Sequence, residues 1–122
     1  MAWELSLFDV SLEAGEDLSS AQFLAVALDS NGKVVKAKSN TLPIGILQDK
    51  PKAGQAADVR MLGISKIVAG GTFAIGDVLT ADDDGRLIAA STGYYPVAIA
   101  LEAATGAGQV VTAFILPEKK AL

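Results

Sequence analysis

Neither cysteine nor histidine occurs in these 122 residues. Without cysteine there is no disulfide frame and no thiolate nucleophile; without histidine the usual near-neutral proton carrier and the commonest metal ligand are both missing. Most hydrolytic mechanisms lose their reacting groups, and neither an enzyme activity nor a cofactor or metal is expected. Long apolar runs are missing as well, since none approaches the roughly 20 residues that span a bilayer. The start, Met1-Ala2-Trp3-Glu4-Leu5, lacks a basic segment followed by an apolar core. The chain is expected to be soluble and unsecreted, with no membrane partner. Positive charge is also in deficit: a net charge of -4 argues against nucleic acid, where a basic face is required. Aromatic residues are few, at 6%.

What is there is small, apolar and turn-rich. Hydrophobic residues make up 51%, mostly Ala, Val, Ile and Leu, beside 12 glycines, a composition that suits short strands and tight turns in a single domain. The organising stretch is Leu28-Asp29-Ser30-Asn31-Gly32-Lys33-Val34-Val35-Lys36-Ala37, which returns as Ala81-Asp82-Asp83-Asp84-Gly85-Arg86-Leu87-Ile88-Ala89-Ala90. At the offset that separates Gly32 from Gly85, Pro43 falls on Pro96 and Pro43-Ile44-Gly45-Ile46 on Pro96-Val97-Ala98-Ile99. One inserted residue later, Ala53-Gly54-Gln55 answers Ala107-Gly108-Gln109. Asn-Gly and Asp-Gly tolerate the positive φ that turns between antiparallel strands require, so each stretch is expected to be a hairpin. The chain therefore contains two fused, similar β units, about 17–66 and 70–116.

Residues 1–13 stand outside that repeat. Trp3, Leu5 and Leu7 alternate with polar residues before the apolar phase shifts to Phe8, Val10 and Leu12, which predicts a strand with a bend or bulge near Leu7-Phe8. It is either an edge strand of the domain's own sheet or an arm that adds to a partner. The only Trp lies in it, a residue favoured at interfaces. Ser19 and Gln22 have capping-box spacing, so one turn of helix is expected at Asp17 to Ala21. Further strands are expected at Ile44 to Leu47, Val59 to Ile64, Ser65 to Val68 and Val97 to Leu101, with Gly63 marking a bulge or a close backbone approach. The run Val110 to Leu116 is apolar on both faces and should be central or covered by another subunit. Residues 117–122 form a tail. Eight to ten short strands predict an all-β fold, a small barrel or sandwich with at most one short helix, an N-terminal arm (1–13) and one domain (14–116).

Candidate chemistry is thin. Asp82-Asp83-Asp84-Gly85 offers oxygen ligands to calcium, but its acids are consecutive and its counterpart Asp29-Ser30-Asn31-Gly32 would bind nothing similar; a hairpin turn accounts for both. Gly70-Gly71-Thr72-Phe73-Ala74-Ile75-Gly76 lacks the lysine and hydroxyl of a phosphate loop. Tyr94-Tyr95-Pro96 is a contact patch, a sugar-stacking platform, or core or subunit packing, with the two rings on opposite sides of a strand. Asp49-Lys50 beside a turn is similar to the modified lysine of lipoyl and biotinyl carrier domains, though in those domains the lysine turn follows the Gly-Asp segment, where Asp84-Gly85-Arg86 stands in this chain.

Taken in order, Asp17-Leu18-Ser19-Ser20-Ala21-Gln22-Phe23, Pro43-Ile44-Gly45-Ile46-Leu47, Ala53-Gly54-Gln55, Val59-Arg60-Met61-Leu62-Gly63, Gly76-Asp77-Val78-Leu79, Asp84-Gly85-Arg86 and Gly106-Ala107-Gly108-Gln109 resemble the head decoration, or capsid cement, proteins of tailed bacteriophages. The resemblance covers about residues 14–116. It implies a β-rich structural protein that sits as a homotrimer on the outer surface of the mature head, assembled in the host cytoplasm, and clamps neighbouring major capsid protein subunits. Residues 2 to 12 fall where the arm of such proteins lies along the capsid, which makes Trp3, Leu5, Leu7, Phe8 and Val10 the candidate capsid-binding residues. Tyr94, Tyr95 and Phe114 are candidate subunit contacts. A lipoyl-like carrier modified on Lys50 and a ligand-binding β module around Tyr94 and Tyr95 remain as alternatives.

Overall fold

In the computed structural model, which describes residues 4–39 and 41–116, eleven strands form, and among the described residues there is no helix. The strands are β1 (Leu5–Glu13), β2 (Ala25–Leu28), β3 (Val34–Lys36), β4 (Pro43–Leu47), β5 (Ala56–Val68), β6 (Thr72–Phe73), β7 (Val78–Ala81), β8 (Leu87–Ala89), β9 (Ala98–Ala100), β10 (Ala104–Thr105) and β11 (Val110–Ile115). Nine of them make one antiparallel sheet of order β3-β2-β4-β5-β11-β9-β7-β8, with β1 also paired to β5, while β6 and β10 pair with each other. The all-β expectation holds.

That order is a palindrome once β2, β3, β4 and β5 are matched to β7, β8, β9 and β11. Both hairpins are closed by the same device. Asp29 Oδ1 accepts from the Asn31 and Lys33 N–H groups, each at 2.9 Å, and Asp82 Oδ1 accepts from those of Asp84 and Arg86 at 2.8 and 2.9 Å. An aspartate that mimics a backbone turn and a glycine at φ +76 (Gly32) or +79 (Gly85) together fix the reversal. Of the acids of the second turn, Asp82 is therefore occupied by the turn's own backbone.

The repeat reaches further than the sequence offset suggests. β5 is 13 residues long and serves both units. Its first half pairs with β1, with Glu13 opposite Ala56 and Leu12 opposite Ala57; its second half pairs with β11, with Val68 opposite Val110 and Ile67 opposite Val111. The backbone bonds at the two strand ends match. Ala14 N–H donates to Gln55 C=O at 2.8 Å as Ala69 does to Gln109, and Gly15 N–H donates to Val34 C=O at 2.7 Å as Gly70 does to Leu87. Residues 5 to 13 thus have a counterpart in the second half of β5, which corrects their placing outside the repeat. The two Ala-Gly pairs show why. A Cβ on Gly15 would lie 3.0 Å from Lys33 Cβ, and one on Gly70 would lie 3.2 Å from Arg86 Cβ, so each strand end tucks beneath its own hairpin only as glycine. Parallel bridges from Ala14 to Val34 and from Ala69 to Leu87 curl each half onto itself.

Each half has a core. Leu18, Val26, Val34, Leu47 and Val59 fill the first; Ile67, Leu79, Leu87, Val111 and Ile115 fill the second. The second cluster also takes in Ala25, Ala27, Ala37 and Ile46 from β2, β4 and the residue after β3, so the two halves share a buried seam. Three local expectations change. No helical turn forms at Asp17 to Ala21, because Asp17 Oδ1 accepts from Ser19 N–H at 3.0 Å and offers that backbone an alternative to a helix. Val59 to Ile64 and Ser65 to Val68 are one continuous strand. Tyr94 closes a turn, its N–H on Ser91 C=O at 3.1 Å, and Tyr95 lies in the irregular stretch before β9, so neither is part of a strand.

Candidate functional site

β1 carries the largest run of exposed apolar side chains. Leu5 is 50% exposed, Leu7 60% and Phe8 54%. A register shift on each side of Phe8 leaves Leu7 without a partner in β5, which is where the sequence places a bulge. Gly63, at φ +132, makes room for the displaced chain, since a Cβ there would meet Leu5 O at 2.3 Å. Beyond the bulge the strand turns inward: Val10 and Leu12 pack against the first core. The five candidate arm residues therefore divide. Leu5, Leu7 and Phe8 share one exposed stretch, Val10 does not, and Trp3 lies outside the described residues.

Besides its pairing with β5, β1 is held by Arg60, which sequence reasoning passes over. Its Nε and Nη2 donate to the two carboxylate oxygens of Asp9 at 2.9 and 3.2 Å, and its Nη1 donates to Ile64 C=O at 2.9 Å and lies 3.4 Å from Glu4 Oε2. Arg60 is only 8% exposed, so this forked pair is stronger than a surface ion pair. Burial pushes the Asp9 carboxyl up, but hydrogen bonds from Arg60 and Ser6 and the guanidinium charge outweigh it and hold Asp9 below its ordinary range. Asp58 moves the other way: burial first, then the carboxylates of Asp9 and Asp49, push it up against the pull of Arg60. The signal available in the sequence was a lone arginine inside an apolar strand, where a buried charge demands a partner.

A second feature crosses the sheet. Register pairing sets Leu5 opposite Ile64, Ile64 opposite Phe114, Phe114 opposite Ile99 and Ile99 opposite Val78, so five strands contribute to one apolar row. Ile64, Phe114, Ile99 and Val78 are all half-buried. Phe114 thus joins the row that begins on β1, while Tyr94 and Tyr95, also half-buried, sit apart from it; the Tyr95 carbonyl accepts from Thr80 Oγ1 at 2.7 Å. A third feature is a groove of about 470 Å³ beside the first hairpin, lined by Leu28, Val35, Leu42 and Ile44 with Lys36 and Lys38. Lys50 is exposed in the loop after β4. Among the described residues, nothing in these arrangements unites a nucleophile with a base.

A family model described as phage cement protein matches residues 6–115. Among solved structures, the head fiber gp8.5 N base of bacteriophage phi29 is similar, with a TM-score of 0.67 and 24% identity over 94% of this chain and 98% of that one. At that identity the likeness speaks for the fold. No curated protein matches the chain.

Proposed function

Because the chain belongs to the phage cement protein family and is a phage capsid structural protein, we propose that it binds the outer surface of the mature head as a homotrimer and reinforces contacts between major capsid protein subunits. The observation that carries this reading is the exposed apolar stretch Leu5, Leu7 and Phe8 on a strand clamped by Arg60. Fixing the backbone beforehand removes much of the ordering cost that an extended peptide meets on binding. Three such strands held in one trimer act at high effective concentration, so each contact needs only modest strength. The carrier and ligand-module readings gain nothing from the family match.

Deleting β1 is a poor test, because Val10 and Leu12 cover the first core. The double substitution Leu7→Glu with Phe8→Glu changes exposed positions only. Its expected outcome is a loss of occupancy on expanded heads of at least about tenfold, the share a buried aromatic anchor commonly carries, with melting temperature and native mass unchanged. Full occupancy by that variant would overturn the role of β1.

A further inference from the structure

One contact made between the halves has no counterpart among the described residues. The second hairpin turn docks on the first half: Gly85 C=O accepts from Ala25 N–H at 2.7 Å, and Asp83 Oδ1 accepts from Ser39 N–H at 3.2 Å. Gly85 is buried there, and a Cβ on it would lie 2.9 Å from Ala25 O. The matching parts of the other pair stand open. The first turn's Gly32 is exposed, and a Cβ on it would meet nothing within 4 Å. Val78 stands where Ala25 stands, and Ala90 N–H donates to Val78 C=O at 2.8 Å as Ala37 N–H does to Ala25 C=O at 3.0 Å. Among the described residues no turn caps Val78.

The row of register partners that ends at the docked Ala25 has its counterpart too. In the first half, Asp9, Arg60, Ile46 and Ala25 are register partners in a row, with Arg60 8% and Ile46 and Ala25 0% exposed. The same row in the second half is Ile64, Phe114, Ile99 and Val78, half-buried throughout and apolar where the first half carries an ion pair. A buried row in one half and an open apolar row in the other, on one frame, mark a face lacking its cover.

We infer that a second copy of this chain supplies the cover: its first hairpin turn, Asp29 to Lys33, docks over Val78, Ile99 and Phe114, with Gly32 C=O accepting from Val78 N–H. The substitutions between the halves suit that partner. Arg86 and Leu24 both line the groove between the docked turn and the first half; their counterparts are Lys33, which also pairs with Glu13 at 3.2 Å, and Asp77, which also accepts from Ala74 N–H at 2.8 Å, so the contact would set a cation opposite a carboxylate. Ser30 takes the place of Asp83 and Thr92 that of Ser39. The contact is heterologous, turn to strand, so it builds a ring if its rotation closes. It rests on the reading of the protein as self-associating and names the surface that does it.

The chain has no cysteine, so introduced pairs report contacts cleanly. Ser30→Cys with Thr92→Cys, oxidised by diamide in the full-length protein, is expected to yield covalent multimers on a non-reducing gel. The control pair, Ser39→Cys with Asp83→Cys, links within one chain. Phe114→Glu is expected to weaken self-association by about tenfold or more, as loss of a central aromatic does, while the control disulfide still forms and shows the fold intact. A multimeric wild-type protein whose Ser30→Cys, Thr92→Cys form stays uncrosslinked would overturn this contact and leave the trimer standing. A wild-type protein that is monomeric both in solution and on heads would overturn both.

Discussion

Two turns with the same internal hydrogen bonds lead different lives in this molecule. The Asp82 turn lies against β2 of the other half, while the Asp29 turn projects into solvent. The difference shows what fusing two copies of one β unit does. A contact between halves of one chain becomes permanent, and the equivalent contact on the outer flank is left for another partner. Local sequence fixes the turn; what the turn touches is decided by its place in the fused pair.

The largest expected effect separates the turns directly. Both Gly85→Ala and Gly32→Ala force an L side chain into a left-handed backbone, which costs about 1 kcal/mol. Only the first also drives a Cβ to 2.9 Å from the Ala25 carbonyl. Overpacking against backbone adds about 1–3 kcal/mol, so Gly85→Ala should lose roughly 3 kcal/mol in chemical denaturation and Gly32→Ala about 1. Equal losses would mean that the Gly85 turn contributes no more to the fold than its free twin.

Next comes the pair Arg60 and Phe114, which hold the same place in the two rows. Truncating Arg60 to Ala leaves Asp9 facing β5 without its partner. Breaking a buried pair costs about 3–5 kcal/mol, but Asp9 is 22% exposed, which brings the expectation down to about 2. Phe114→Ala should cost the isolated chain less, about 1 kcal/mol, because its ring is already half in water. The pH dependence sharpens the contrast. The Asp9 carboxyl titrates below its ordinary range in the fold, so the clamp's contribution is complete above the unfolded carboxylate pKa and vanishes as pH falls through the folded one. Denaturation of wild type and Arg60→Ala should therefore converge in acid, while Phe114→Ala keeps a constant gap.

How legible this was in the sequence depends on whether a feature lies in the chain or between its halves. The hairpins, their glycines and the unequal lengths of the loops after β4 and β9 follow from turn chemistry, and β2 and β3 map onto β7 and β8 without a shift. The bulge at Leu7 was legible from the change in apolar phase, and the close approach at Gly63 from a glycine inside a strand. The kinship of β1 with the second half of β5 was not, because Asp9 answers Ile64 and Arg60 answers Phe114, and only Ala14-Gly15 and Ala69-Gly70 survive as a trace. Those two rows meet different surroundings, the first buried in the seam between the halves and the second half-buried. The clamp escaped notice for a related reason, since its members lie on strands distant in sequence and meet only through register. Ser19 and Gln22 misled because their spacing is shared by helix caps and by turns built on a preceding aspartate.

The smallest expected effect concerns a mismatch that one half carries and the other has resolved. Asp49 Oδ1 accepts from Asp58 N–H at 3.1 Å, as Glu102 Oε1 accepts from Thr112 N–H at 2.9 Å. In the second half the residue at this position adds a donor, the Thr112 hydroxyl, 2.7 Å from the same Glu102 oxygen. The first half instead sets a second carboxylate beside Asp49, and burial together with Asp9 and Asp49 raises the pKa of Asp58. Asp58→Thr imports the solution already used by the other half, exchanging a repulsion for a hydrogen bond worth about 1 kcal/mol. A folded pKa above the unfolded one means that wild type gains stability as pH falls through it, because Asp58 then takes up its proton and the repulsion ends. The advantage of Asp58→Thr should therefore be largest at neutral pH and shrink on acidification, because the contribution of Asp58 itself rises as pH falls, opposite in sense to that of Asp9. A gain that holds constant with pH would mean that strand propensity, and not charge, separates the two residues at this point of the repeat.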